Sequence, residues 1–497
     1  MFNIVRMRAL LVTSVGITCA AALTLPLAAP ALSAPPALSA SALPPESPGA
    51  GPPSVRAAAL PAAESAGSTQ SLPLEPLAAP SDRSMGPATA GQGLERRTAR
   101  PFSLVGVVWD DAEAELHGTV QVRTRATGSA NWSDWQDVET HNAEHAADLG
   151  SDERSSGAVR GATAPLWVGA SDGVEVRVRP EPADPQDRSE AAPLPEGLRL
   201  ELVDPGPDPA PEPAAETAPE PARAAPVGRT ATTAAFALNP SPPTTTPAVV
   251  PEVLTAEAEA ASAVNAELAP LGASVIPALT KAETEEAANV APGAKPYIGP
   301  RPGIITRKGW GADEKLRERQ FAYTKTVKAA FVHHSATGNN YTCKQAPSVL
   351  RSIYRYHVKS SGWRDFGYNF AVDKCGNIYE GRAGGVTKAV LGAHTLGFNS
   401  NTMGIAVLGS YSSTNPPAAA VTAVSKLTAW KLGLFGANPK GKVTLTSGGS
   451  NKYKAGAKVK MNVISGHRDG FATECPGARL YKKLGKARTS SAKLQGR

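Results

Sequence analysis

Apolar and polar positions divide this chain of 497 residues into periodic and aperiodic stretches. Residues 35–100 are rich in Ala, Pro, Ser and Gly with no sustained period. Such a stretch cannot bury enough apolar surface to offset the entropy of ordering, so it reads as a disordered spacer. From Pro101 the pattern changes. Val105, Val107 and Trp109 alternate with their neighbours, as do Val120, Val122 and Thr124, then Val174, Val176 and Val178, and finally Leu198, Leu200 and Leu202. A period of two predicts half-buried strands, and Gly- and Pro-rich joints between them predict a small antiparallel β-sandwich over residues 101–204. Residues 205–296 return to Pro, Ala and Glu, with a helical patch around Leu254–Leu268. As a flexible tether of about 90 residues this segment would average roughly 50 Å end to end.

Residues 297–488 mix both periods. Phe331–His334 and Met403–Leu408 are continuous apolar runs of the buried-strand type. Gly367–Val372 and Asn377–Glu380 read as strands joined by a turn at Asp373–Gly376, and Asn462–Ile464 as a last strand. Helical spacing marks Pro347–His357, Pro417–Leu434 and Ala478–Leu484. Mixed in this order, the elements predict an α/β domain, a central mixed sheet flanked by helices. Residues 489–497 read as a basic tail.

Charge separates the same regions. From Arg301 onward 32 Lys and Arg face 8 Asp and Glu, a net +24, whereas the first 300 residues hold 19 against 36, or −17. A basic C-terminal half calls for an anionic partner: nucleic acid, an acidic membrane surface or an anionic cell-wall polymer. The N-terminus chooses among them. Arg6 and Arg8 precede an apolar run from Ala9 to Leu25, and small residues follow to Ala34, so residues 1–34 read as a secretory signal peptide. No later stretch is apolar enough to span a membrane, so no stable anchor is expected after cleavage. Export argues against nucleic acid and for a wall polymer. The expected location is secreted, extracellular or bound to the cell wall.

Of four cysteines, Cys19 lies in the signal, leaving Cys343, Cys375 and Cys475. An odd count in an oxidising compartment leaves one thiol for another task. Pairing Cys343 with Cys375 frees Cys475. That residue stands eight positions after His467 in S-G-H-R-D-G-F-A-T-E-C-P-G, Ser465–Gly477. Imidazole and thiolate are both good zinc ligands, and a turn-rich segment can fold them together. A third ligand is offered by His333 or His334 in F-V-H-H-S-A; strand alternation puts the two on opposite faces without saying which faces the metal. Three protein ligands and an open fourth position make the catalytic rather than the structural arrangement.

The predicted β domain offers less. Trp132, Trp135 and Trp167 could stack on sugars but fit core or strand-edge packing better, and no ligand cluster stands out. His117, His141 and His145 lack supporting neighbours in sequence and read as surface residues.

The motifs V-H-H-S-A, D-F-G-Y-N-F-A-V-D, Y-E-G-R, G-A-H-T-L-G-F-N and G-H-R-D…T-E-C-P-G occur in that order between Pro302 and Leu484. In this the domain resembles the peptidoglycan recognition protein family and the related zinc N-acetylmuramoyl-L-alanine amidases. The resemblance implies zinc held by His333, His467 and Cys475, with Tyr368 beside the reacting water and Thr473 at a position that is lysine in the phage enzyme. It places His394 in the substrate groove or in a structural role, and leaves His334 as structural or substrate-facing. A disulfide between Cys343 and Cys375 departs from the animal members, whose characteristic pair is closer in sequence. The implied activity is hydrolysis of the muramoyl–L-alanine amide of peptidoglycan. The alternatives are a peptidoglycan-binding protein that does not cut, the receptors commonly lacking the cysteine ligand, and a structural zinc protein, which would show a fourth protein ligand.

Overall fold

The computed structural model describes residues 67–77, 91–182, 192–209, 254–288 and 296–497. The expected signal peptide lies outside the described residues.

The N-terminal domain is all β. Its strands are β1 (Ser68–Pro73), β2 (Glu75–Pro76), β3 (Gln92–Trp109), β4 (Gly118–Ala126), β5 (Gln136–Val138), β6 (Gly161–Ala162), β7 (Leu166–Pro180) and β8 (Arg199–Asp204). They form one connected antiparallel sheet in the order β1-β8-β3-β7-β4-β5, with β2 and β6 also on β3. Register shifts along β3 opposite β7 let this 18-residue strand bend around its own core. The alternating valines behave as predicted: Val107, Val120, Val122, Val174, Val176 and Val178 all face that core.

The domain begins earlier than the alternation indicated. Part of the expected spacer is ordered as β1, β2 and the first half of β3. β1 is an edge strand whose whole length pairs with β8, and Leu74 and Leu94 reach the core. Prolines at the end of β1 and in β2 hid it, because an edge position tolerates what a central strand would not.

The C-terminal domain also begins early. Within the expected tether, α1 (Ala256–Ala263), β9 (Val275–Ile276) and α2 (Lys281–Ala287) are formed, and Ala269 and Ile276 enter the domain core. Thr280 and Glu283 close a capping box on α2. Then come β10 (Ile304–Ile305), α3 (Arg307–Trp310), β11 (Ala329–His334), α4 (Ala346–Arg355), β12 (Phe370–Val372), β13 (Ile378–Glu380) and β14 (Thr402–Val407). The chain ends with α5 (Ala418–Leu434), the hairpin β15 (Lys442–Thr446) and β16 (Lys458–Asn462), β17 (Ile464–Gly466), α6 (His467–Gly470), α7 (Ala478–Tyr481) and α8 (Leu484–Gln495). The expected basic tail is the second half of α8; Ser491, Ala492 and Gln495 are buried, and Gln495 Nε2 donates to the Ala429 carbonyl at 2.9 Å.

Seven strands form the mixed sheet β17-β11-β14-β12-β13-β10-β9. β11 runs parallel to β14 on one side and to β17 on the other. Alternation sends Ala330 and Val332 of β11 into one apolar layer with α5 and α8, and Ala329 and Phe331 to the opposite face, against the β15–β16 hairpin. Full burial of a side chain such as Phe331 or Val332 is worth about 1.5–3 kcal/mol, enough to fix which face each residue of β11 takes. Among the described residues no helix is long and apolar enough to cross a membrane.

The two domains share a core. Leu104, Val108 and Val203 of the β domain pack with Val349, Leu350 and Tyr356 from α4 and the turn after it. The Tyr356 hydroxyl donates to the Thr163 carbonyl at 3.1 Å, and a side chain at Gly106 would collide with that tyrosine ring.

Candidate metal centre

Strand pairing assembles the centre. Val332 of β11 stands opposite Gly466 of β17, so His333, one residue on, lies beside His467, the first residue of α6. The loop after α6 folds back: Arg468 N–H donates to the Cys475 carbonyl at 3.0 Å, and Cys475 N–H to Thr473 Oγ1 at 3.1 Å. Asp469 secures the turn, accepting from Gly466 N–H at 2.9 Å and from the Tyr481 hydroxyl at 2.6 Å. The rings of His333 and His467 end 4.6 Å apart, and Cys475 Sγ is 3.8 Å from His333 Nδ1.

A fourth donor comes from the other domain. His145, on the loop between β5 and β6, enters with its Nε2 3.2 Å from His467 Nδ1 and 3.6 Å from Cys475 Sγ. His145, His333, His467 and Cys475 are all buried, and one ligand atom of each lies within 4.8 Å of the others. The expectation of a surface histidine holds for His117 and His141, which are exposed, and fails for His145. Its partners come from across the domain boundary, where no local pattern points to them. Glu144 was missed for the same reason: its carboxylate accepts from Thr473 Oγ1 at 2.6 Å.

The donor set fits zinc. Tetrahedral zinc with nitrogen ligands at about 2.0–2.1 Å and sulfur at about 2.3 Å spaces its ligand atoms roughly 3.3–3.6 Å apart. Three of the six edges, at 3.2, 3.6 and 3.8 Å, lie close to that spacing, and all six are within 4.8 Å. Burial holds the His145 imidazole down to about 3 and pushes those of His333 and His467 well below their usual value, the neighbouring imidazoles adding to the effect. All are therefore neutral, the form that ligates. Burial pushes the Cys475 thiol well up, so its ionisation calls for a cation at the site. The outer nitrogen of His333 faces Thr395 Oγ1 at 3.4 Å, while those of His145 and His467 have no hydrogen-bond partner.

The remaining predicted residues are placed as follows. Tyr368 precedes β12, its ring 5.3 Å from His333 and 5.8 Å from His145. Burial, then the nearby Cys475 and Glu144, raises its phenol well above the usual value, so it stays a donor. His394 is fully buried behind His333, its Nδ1 3.0 Å from Thr395 Oγ1, and so lines no open groove in this arrangement. His334 points to the other face of β11, its Nδ1 accepting from Tyr411 N–H at 3.2 Å. Cys343 and Cys375 are joined, their Cα atoms 6.2 Å apart, tying the entry to α4 to the β12–β13 turn, and Cys475 is a free, buried cysteine. In the β domain Trp167 is buried, whereas Trp132 lies under Arg96 and Trp135 under Arg177, at 5.1 and 4.0 Å from the ring centroids.

The loop that carries His145 is pinned on both sides. Glu144 C=O accepts from Leu396 N–H at 2.9 Å. Asn399 Nδ2 donates to the Ala146 carbonyl at 2.8 Å and to Asp148 Oδ1 at 2.7 Å, and Gly397 N–H donates to Asp148 at 2.8 Å. Glu153 receives two hydrogen bonds from Arg382, at 2.8 and 2.9 Å, and one from Arg364 N–H at 3.1 Å. Beside the loop a cleft of about 610 Å³ runs between Leu116, His141, Arg468 and Thr473 and reaches Glu144.

Comparison with known proteins agrees with this layout. Residues 323–478 match the family model described as N-acetylmuramoyl-L-alanine amidase, and residues 57–198 match one described as Rv3811 N-terminal galactose-binding domain-like. Peptidoglycan-recognition protein SC2 of Drosophila melanogaster is 31% identical over 183 residues, which are 36% of this chain and 84% of that protein. The human N-acetylmuramoyl-L-alanine amidase is 32% identical over 187 residues, 37% of this chain and 28% of that one. Wild-type Drosophila PGRP-LB, a solved structure, is 25% identical over 36% of this chain and 91% of its own, with a TM-score of 0.29.

Proposed function

The chain belongs to the peptidoglycan recognition protein family, and on that premise we propose that it is a zinc-dependent N-acetylmuramoyl-L-alanine amidase. Its substrate would be the amide between the lactyl group of N-acetylmuramic acid and L-alanine in bacterial peptidoglycan. The observation that carries this is the juxtaposition of His333, His467 and Cys475 with two hydroxyls, those of Tyr368 and Thr473. Zinc held by the three ligands would supply Lewis acidity, lowering the pKa of a coordinated water to about 7 and polarising a carbonyl.

The chain's own groups do the rest. Thr395 orients the ring of His333 through its outer nitrogen. Tyr368, kept protonated by burial, presents an O–H to the oxygen on which charge develops. Thr473 presents a second O–H once Glu144 no longer accepts it. Donors of this kind are worth about 3 kcal/mol each in the transition state. The basic C-terminal half suits an anionic wall polymer, and we extend the proposal to export through residues 1–34.

A structural role for the zinc, without cleavage, gains support from one observation, the fourth donor His145, because a four-ligand site is closed. Cys475, the ligand a pure receptor has no need of, favours cleavage. The test is the zinc-loaded full chain on purified sacculi, with and without chelator. Mass spectrometry should find stem peptides beginning with L-alanine, absent with chelator and from His467→Ala. Sacculi bound with no peptide released, by the wild type and by His145→Ala alike, would make the chain a recognition protein.

A further inference from the structure

We propose that His145 is a fourth protein ligand of the zinc site, lent by the N-terminal domain, and that residues 139–153 form a displaceable plug holding the enzyme latent. This rests on the amidase reading above. Four features carry it. His145 Nε2 lies 3.2 Å from His467 Nδ1 and 3.6 Å from Cys475 Sγ, close to the N–N and N–S edges of a zinc tetrahedron, so the position that a catalytic zinc leaves open is met by a protein nitrogen. Glu144 takes the Thr473 hydroxyl, a group needed for catalysis, at 2.6 Å. The plug covers Leu396, Gly397 and Asn399 of the G-A-H-T-L-G-F-N motif, occupying their hydrogen-bonding groups with its own carbonyls and with Asp148. Finally, its attachments are polar: a carboxylate–guanidinium pair, side-chain amides and backbone donors. Polar attachments can be exchanged for water or for a competing polar ligand, whereas the apolar contact of α4 with β3 and β8 can hold the domains as neighbours.

Opening is a ligand exchange with no change of oxidation state. The His145 imidazole leaves the fourth position, Glu144 releases Thr473, and both become available to the substrate. A peptidoglycan strand is well equipped to drive the exchange, since its peptide amides and carboxylates compete for the groups that the plug engages. The cleft of about 610 Å³ that Glu144 and Thr473 help to line is the approach.

The test uses the full chain as wild type, His145→Ala and Glu153→Gln, each loaded with zinc. X-ray absorption counts the ligands: three imidazoles and one sulfur are expected in the wild type, two imidazoles and one sulfur in His145→Ala. Release of the Glu144 hydrogen bond on Thr473 together with the ligand should raise sacculus hydrolysis by about tenfold in His145→Ala. Glu153→Gln keeps every ligand and should also raise turnover, covering the case in which His145→Ala does not fold. Two imidazoles in the wild type would overturn the ligand assignment. A changed ligand count with equal, measurable turnover in all three proteins would overturn the plug. No turnover in any of them, with the ligand count changing as expected, would sustain the fourth ligand and sink the amidase reading instead.

Discussion

Glu153→Gln is the sharpest probe of how the domains are held. Both side chains of the Glu153–Arg382 pair are almost fully buried, at 7% and 6% exposure, and two hydrogen bonds of 2.8 and 2.9 Å join them across the boundary. Burial alone would raise the Glu153 carboxyl, but Arg382 and Arg364 together outweigh it and hold the group below the usual carboxylate range. Glutamine keeps the shape and one acceptor but turns an N–H₂ toward the guanidinium, which stays charged and buried. Breaking a buried pair in this way costs about 3–5 kcal/mol. Asp365 also faces Arg382 and softens the loss, so the lower end, about 3 kcal/mol, applies. At about 1.4 kcal/mol per tenfold, undocking should become roughly 150-fold more frequent. Hydrogen exchange reads this directly, because the amides of Arg364, Leu396 and Gly397 are donated to the plug and should exchange faster by that factor. Arg382→Met combined with Glu153→Gln should cost far less than the sum of the two. Exchange within about threefold of wild type, or additive single effects, would refute the assignment of docking energy to this pair.

Two further outcomes follow from buried groups. Tyr368→Phe should retain full zinc content and lower turnover by about 100-fold, the loss of one transition-state donor; an unchanged rate would remove the phenol from the chemistry. Lys431, buried beneath the sheet and donating to the Val386 and Lys388 carbonyls at 2.6 Å each, is held down to about 7 by burial, its partner Glu380 opposing. Below that value it is protonated folded and unfolded alike. Above it only the unfolded chain keeps the proton, so stability should rise by up to about 1.4 kcal/mol per pH unit between pH 7 and 10. Paired urea titrations of wild type and Lys431→Met should show that slope in the first alone, and equal slopes would place the effect elsewhere.

The half of the candidate site that holds His333, His467 and Cys475 was legible because these residues sit in short, ordered motifs on consecutive elements. V-H-H at the end of a buried strand and H-R-D…E-C-P after the neighbouring one need only the β11–β17 pairing to meet. His145 was illegible for the converse reason. It lies 322 residues before His467, on a loop with neither periodicity nor a motif, and only the docking of one domain on the other gives it a partner. Strand β1 hid behind its prolines, since an edge position relaxes the pattern that a central strand must obey. By contrast, Thr280 and Glu283 spell a capping box in sequence, and the low complexity around them masked it. Counting cysteines sufficed for Cys343 and Cys375, whose union the structure contains.

Translation runs from the N-terminus, and this gives the position of His145 a temporal meaning. The stretch that makes the β domain, His145 included, is synthesised before His333, His467 or Cys475 is added. On the reading proposed above, no chain long enough to hold the three candidate ligands lacks the fourth, so the guard always precedes what it guards.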